Sequence, residues 1–415
     1  MGERAFINPS IKRSSNKIGR QLRLPFDVPL LLILTVLVIF GLLMVYSASW
    51  DASLLIKRPS TYLFWRQVIW IAVGLAGAFV ISLIDYHWYE KFLVIIIILI
   101  VLILFAVLII NDVRFNSSRT LVGGSIQPAE LAKMVIILYL AFWLSKRKDN
   151  LDRISVGLIP LSVILGFIAG LIILQPDISA AATIVILGIM LFFLAGGDWK
   201  QIIFFTVVGL IVGSVVVAAS TTGSARLEQY FDALRNPAEG SYHIRRTFEA
   251  VIKGGFFGVG IGKADTKFTG LPLPHTDSIF AVIAEETGIL GGIFVLALYA
   301  LLLWRGIVIA KRAPDQLGSL LAFGFVGWIV LEALMNIAVI VGLFPFTGNA
   351  LPFISYGGSS MLTSLAAIGI VMNVSRRSIN YETLERSSAH AVVDMRRRDG
   401  RRGVSRTNRI PGAED

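Results

Sequence analysis

The sequence predicts an all-helical protein that crosses a membrane about ten times, with both termini in the cytoplasm. Three observations carry that expectation. Of 415 residues, 55% are hydrophobic and only 16% charged, and the mean hydropathy is +0.76, a balance that no soluble domain of this size has. Apolar runs long enough to span a bilayer recur from Val28 to Val374. The basic residues gather in the two tails and in connections that an even number of crossings places on one side.

The elements follow in order. Residues 1–27 carry Arg4, Lys12, Arg13, Lys17, Arg20 and Arg23 against Glu3 and Asp27, which sets the N-terminus in the cytoplasm. With a spanning first run behind this tail, no cleavable signal peptide is expected. Spans are expected at Val28–Ser47, Val68–Ile84, Phe92–Ile110, Pro128–Leu144 and Val156–Leu174. Five more follow at Ala180–Ala195, Ile202–Ala219, Ile279–Ala310, Leu317–Val341 and Ser360–Val374. Lys146, Arg147, Lys148, Arg153, Lys311 and Arg312 then all share the N-terminal side. The domain plan is a basic cytoplasmic tail (1–27), a transmembrane domain (28–374) and a basic cytoplasmic tail without fixed structure (375–415). The formal charge of +11 is read as attraction to anionic membrane lipid, not nucleic acid. With no cysteine in the chain, a disulfide framework, a thiol nucleophile and a cysteine metal site are all excluded.

The longest polar connection, 220–277, lies on the outer face between the seventh and eighth spans. A loop of this length is functional or unstructured. Within it, His243–Lys253 places Ile244, Phe248 and Val251 at i, i+4 and i+7, the pattern of an amphipathic helix lying on the outer membrane surface. Such a helix presents Arg245, Arg246 and Lys253 to headgroups or to a diphosphate, or serves as a solvated connector. The glycines Gly254, Gly255, Gly258, Gly260 and Gly262 do not make a phosphate loop, because the required Gly and Ser/Thr positions hold Phe257 and Ala264. They permit tight backbone turns.

Asp277 ends this connection and adjoins the run Ile279–Ala284. Two compatible readings fit it: a helix N-cap, or a partly desolvated general base at the membrane edge. His275 either positions that carboxylate or is an ordinary loop residue. Glu130 and Lys133, three apart, pair on one helix face, as a structural ion pair or as part of a substrate path. Arg119 stands just outside that helix, facing an anionic headgroup or water. Glu332 and Asn336 share a face and suit an interhelical hydrogen bond; Glu285 and Glu286 suit packing or cavity lining. Phe344–Ser360, uncharged and rich in Gly, Pro and Ser, is a surface turn or re-enters the protein to wall a site with Ser355 and Tyr356.

Five stretches together resemble the SEDS family of bacterial membrane proteins, which includes FtsW, RodA and SpoVE. They are YSAS (Tyr46–Ser49), QPAELAK (Gln127–Lys133), QPD (Gln175–Asp177), LPLPHTDSIFAVIAEETG (Leu271–Gly288) and LPFISYGGSS (Leu351–Ser360). The resemblance implies a ten-helix peptidoglycan glycosyltransferase of the bacterial inner membrane, for division or elongation. It implies lipid II and a lipid-linked glycan strand as substrates, and a class B penicillin-binding protein, a transpeptidase, as partner. It also implies that Asp277 is the essential aspartate and that Glu130 and Lys133 are the membrane Glu and Lys. Leu273 and Ser278 depart from the family's usual Glu and Phe, and Tyr242-His243 stands where a Tyr-Gln pair is usual. The spacing from Lys263 to Leu271 and the stretch Gly348–Ala350 resemble FtsW more than RodA.

Glycosyl transfer needs a base for the acceptor hydroxyl and positive charge for the departing diphosphate. Asp277 is the expected base of an inverting displacement. Arg119, Lys133, Arg245 and Arg246, or a divalent cation such as Mg or Mn, are the expected partners of the diphosphates. The alternatives are a lipid II flippase and a non-catalytic scaffold.

Overall fold

The computed structural model describes residues 26–110, 127–236 and 241–399; Arg119 lies outside them. Among these residues there are thirteen α-helices and no strand. They are α1 (Val28–Ala48), α2 (Trp50–Leu55), α3 (Tyr62–Leu83), α4 (Leu93–Ile110), α5 (Pro128–Ser145), α6 (Leu158–Ile173) and α7 (Ile178–Leu194). Then come α8 (Trp199–Ala219), α9 (Thr221–Arg235), α10 (Tyr242–Gly254), α11 (Ile279–Arg312), α12 (Gln316–Ile340) and α13 (Gly358–Asp399). Eight segments are long and apolar enough to cross a membrane, and α6 and α7 are shorter apolar helices.

The starts of these helices are written in the residues before them. Asp27, Asp177, Asp198, Ser220, Ser241 and Asp315 each accept a hydrogen bond from an amide in the first turn of the helix that follows, satisfying groups the helix itself leaves unpaired. Asp27 has a second task. Its carboxylate is gripped by Arg305 at 2.8 and 2.7 Å and by the Ser375 hydroxyl at 3.1 Å, which ties the start of α1 to α11 and α13.

Burial separates bundle centre from rim. None of the apolar window of α8 is buried, against 72% of the window at Gly358–Ile379. In lipid the rim helix needs no cover, whereas the central ones pack side chain to side chain. The helix α13 runs on to Asp399, so residues 375–399, expected to lack structure, are helical. The polar segment 220–277 is also more ordered than a loop: α9 and α10 occupy much of it. The apolar face of α10 is not laid on a membrane surface. Thr247, Ala250 and Gly254 are buried, and a Cβ added at Gly254 would lie 1.9 Å from the carbonyl oxygen of Ala284. The helix therefore packs tightly on α11, while Phe248 presses on Gly342 beyond α12.

The segment 343–358 re-enters the protein. Leu351, Phe353, Ile354 and Ser355 are buried, and a Cβ at Gly41 would meet the carbonyl oxygen of Phe353 at 2.3 Å. Gly41 lies about two turns, roughly 10 Å, inside the outer end of α1. Irregular backbone reaches that depth because protein covers it.

Candidate active site

Four of the stretches singled out in the sequence converge around Asp277. Asp277 is half-buried and stands one residue before the N-cap position of α11, which is Ser278. The cap expected of Asp277 is thus displaced by one. The hydroxyl of Ser278 does not cap the helix; it donates to the carbonyl of Pro272 at 2.7 Å and meets Nε2 of His243 at 2.9 Å.

The turn carrying Asp277 is held by its main chain. Asn336 donates its side-chain amide to the carbonyl of Asp277 at 2.9 Å and to that of Asn349 at 2.6 Å. Ser355 donates to the carbonyl of Thr276 at 2.7 Å while accepting from the amide of Leu351 at 2.7 Å. The amide of Tyr356 donates to the carbonyl of His275 at 2.8 Å. Gln67 of α3 secures the far side, donating to the carbonyl of Ser355 at 3.2 Å and accepting from the amide of Gly357 at 3.3 Å. The backbone of Gly348 lies close to the carboxylate: a Cβ there, where φ is +73°, would lie 3.4 Å from Oδ2 of Asp277.

Below the turn lies a buried ion triad. Nζ of Lys133 reaches Oε1 of Glu130 at 2.7 Å and also pairs with Glu332 of α12, under the ring of Trp328. Glu332 sits one helical turn from Asn336, so α12 joins the triad to the clamp on Asp277. Gln127 links the start of α5 to Asp177 at 3.2 Å and to Ser359 at 3.0 Å, and Ser179 beside Asp177 donates to the carbonyl of Thr347 at 3.2 Å.

Five buried polar atoms around this centre have no partner among the described residues: Oε2 of Glu130, Nδ1 of His275, Oδ1 of Asn336, Oγ1 of Thr347 and Nδ2 of Asn349. Unmade hydrogen bonds at buried atoms are costly, and five on elements that meet at one carboxylate mark a place built for a polar ligand.

The remaining sequence-derived candidates divide. Burial pulls the pKa of His275 down to about 4, so its ring is neutral at pH 7 and is no cationic phosphate ligand. Tyr356 tilts against that ring at 5.6 Å. Desolvation raises the pKa of its hydroxyl, with Arg66 opposing through charge and a hydrogen bond. Arg66, at the start of α3, is thus a cation at the site that sequence reasoning missed. The signal was present, since Arg66 and Gln67 are polar residues within an otherwise apolar run. Ser355 is engaged in holding the turn, and Lys133 is committed to two carboxylates. Arg246 is engaged within α10, with Glu249 at 2.6 Å and the ring of Tyr242 at 5.3 Å; Arg245 is exposed. Among the described residues no three His, Cys, Asp or Glu side chains converge; a divalent cation shared with a substrate diphosphate needs only one or two carboxylates.

Fold and site define a class: a polytopic helical membrane protein in which a half-buried aspartate is clamped, beside orphaned polar atoms, under a re-entrant loop. A family model described as cell cycle protein, covering FtsW, RodA and SpoVE, matches residues 28–380. Stage V sporulation protein E of Bacillus subtilis is 37% identical over 85% of this chain and 97% of its own length. A probable peptidoglycan glycosyltransferase FtsW of Geobacter is 35% identical over 85% and 97%. Among solved structures, a chain from a peptidoglycan synthase complex that coordinates polymerization and crosslinking aligns with TM-score 0.68 at 25% identity, covering 85% of this chain and 98% of that one. The rod shape determining protein RodA of Thermus thermophilus aligns with TM-score 0.61 at 25% identity, over 85% and 98%. The chain belongs to the FtsW/RodA/SpoVE family, and is a multi-pass protein of the bacterial cell membrane.

Proposed function

We propose that this chain polymerises glycan strands from lipid II, with Asp277 as general base. Peptidoglycan glycosyl transfer is the activity named for its FtsW relatives, which match it over most of their length. One observation carries the residue assignment: the Asp277 turn is fixed through carbonyl groups by Asn336 and Ser355, which leaves the placement of its carboxylate set by the scaffold, beside unpartnered polar atoms. In the reaction the acceptor hydroxyl gives its proton to Asp277 as its oxygen bonds to the anomeric carbon of the donor. The bond from that carbon to the lipid diphosphate breaks, and the electron pair leaves on the diphosphate. Displacement from the opposite face inverts the centre. A base placed in this way contributes roughly 10²- to 10⁴-fold. Arg66, beside Tyr356, and the exposed Arg245 are the cations placed to receive the diphosphates, while Lys133 keeps Glu130 and Glu332 in register.

The partner is a class B penicillin-binding protein that crosslinks the strand as it grows, in keeping with the likeness to a synthase complex. The test is the full chain with that partner in vesicles, supplied with labelled lipid II. Asp277→Asn is expected to lower chain growth at least 10²-fold. Growth at the wild-type rate would remove Asp277 from the chemistry. Passage of lipid II across the bilayer without growth would make the chain a transporter.

A further inference from the structure

The helix that carries Asp277 is not continuous with the rest of its span. At Gly288 the backbone leaves the helical region (φ 69°, ψ −168°), so Ile279–Thr287 forms a half helix, with every residue from Ile279 to Glu286 buried. The hydrogen bonds lost at this break are taken over by the glycine-rich segment 255–260. The amides of Val259 and Gly260 donate to the carbonyls of Glu285 and Glu286 at 2.9 and 3.0 Å, and the amides of Ile289 and Leu290 donate to the carbonyls of Gly255 and Phe256 at 2.9 and 3.3 Å. Side chains close the same joint. The carboxylate of Glu285 accepts from the amides of Asp265 and Thr266 at 2.9 and 3.3 Å and from the Thr266 hydroxyl. Nζ of Lys267 reaches Oε1 of Glu286 at 2.7 Å, the hydroxyl of Ser47 at 2.7 Å and the carbonyl of Gly262 at 3.1 Å, and Ser47 itself donates to Glu286.

We propose that Lys267 and Glu286 are positioning residues for the catalytic carboxylate: their buried ion pair, closed by Ser47 at the outer end of α1, fixes the half helix whose other end carries Asp277. This rests on the reading of Asp277 as the base. The side chains of Lys267 and Glu286 are 3% and 0% exposed. Among the described residues Oε2 of Glu286 has no partner and Lys267 is the only cation paired with that carboxylate, so the pair acts as a unit. The half helix begins at Ile279, nine positions before Gly288, a lever of about 13 Å at 1.5 Å per residue, and Asp277 stands two residues beyond its start. A tilt of roughly 5° about the Gly288 joint moves Asp277 by about 1 Å, and a misplacement of that size can cost on the order of 10²-fold in rate. The ion pair thus governs turnover from a distance, without touching substrate.

The experiment uses the full chain with its transpeptidase partner in vesicles and labelled lipid II. Lys267→Met is expected to lower kcat about 10²-fold with KM changed less than about twofold, since the binding groups stay in place. Lys267→Arg, and the double exchange Lys267→Glu with Glu286→Lys, are expected to regain most of the lost kcat. The chain contains no cysteine, so spin labels on cysteines introduced at the exposed Leu55, at the end of α2 directly after α1, and at the exposed Leu273 report that end of the α1–α2 unit against the Asp277 turn. Their distance distribution should widen in Lys267→Met and narrow again in Lys267→Arg. An unchanged kcat, a loss of kcat with an unchanged distance distribution, or a double exchange as slow as Glu286→Lys alone would each overturn the proposal. If Lys267→Met does not fold, Lys267→Arg and the double exchange decide. Asp277→Asn run in parallel separates the two ideas. If Asp277→Asn is dead and Lys267→Met is normal, only positioning fails; if Asp277→Asn is active, the base assignment fails.

Discussion

Replacing Lys133 with Met removes the one positive charge from a buried triad. Lys133 is 3% exposed, with Glu332 at 4% and Glu130 at 13%, so water cannot take over its role. The variant leaves two carboxylates facing one another, and breaking a buried pair by deleting one partner costs roughly 3–5 kcal/mol. Replacing the whole set by neutral groups of similar shape is often close to neutral. The triple variant with Lys133→Met, Glu130→Gln and Glu332→Gln is therefore expected to recover most of that stability. The assay is unfolding in a fixed detergent and lipid mixture at pH 7, alongside lipid II polymerisation. Lys133→Met should unfold well before the parent, and the triple variant should unfold near it. Because α12 also carries Asn336, which grips the carbonyl of Asp277, both variants should polymerise poorly. A Lys133→Met protein as stable as the parent would refute the view that this lysine balances the two buried carboxyl groups.

Two further predictions follow from the outer joint and from the histidines. Gly258→Ala places a Cβ 2.2 Å from the carbonyl of Glu286 at a φ of +78°, whereas Gly262→Ala, at a φ of +83°, meets nothing within 4 Å. The second should cost only the left-handed conformation, about 1–2 kcal/mol. The first should lose in addition the two adjacent backbone bonds, about 1 kcal/mol each, seen as a lower unfolding midpoint; equal losses would refute the joint. Burial holds both His243 and His275 down to about 4, below the ordinary value near 6.5. Between those values the unfolded chain binds protons that the folded one refuses, so stability is fully present above about pH 6.5 and falls as pH drops towards 4. Partial access of water keeps each contribution below roughly 3 kcal/mol. Unfolding midpoints measured from pH 8 to 4.5 should fall less in a protein with both histidines changed to Phe.

The spans were legible because lipid imposes one rule on every crossing segment, and the apolar runs obey it. Asp277 was legible as a costly charge, and Glu130 with Lys133 as an i, i+3 pair. Their third partner was not: Glu332 lies 199 positions from Lys133, and no local pattern announces a contact of that range. Asn336 was placed on the right helix face, yet its bonds go to two loop carbonyls, which sequence does not number. The break at Gly288 was hidden because the apolar run continues past it, and a single Gly within such a run does not by itself end a helix. The glycines before Lys263 were read as turn formers, and their use in repairing this break depends on a neighbour meeting them in three dimensions. Arg66 was overlooked because a single Arg near a membrane edge is ordinary until the hydroxyl of Tyr356 is found beside it.

Asn336 and Ser355 hold the Asp277 turn by main-chain carbonyl groups. These bonds do not depend on which residue stands at 277. A chemically dead copy should therefore fold, enter the membrane and receive substrate like a working one. In a cell making both, it would occupy partners and lipid without extending a strand, and inhibit growth in proportion to its share of the population.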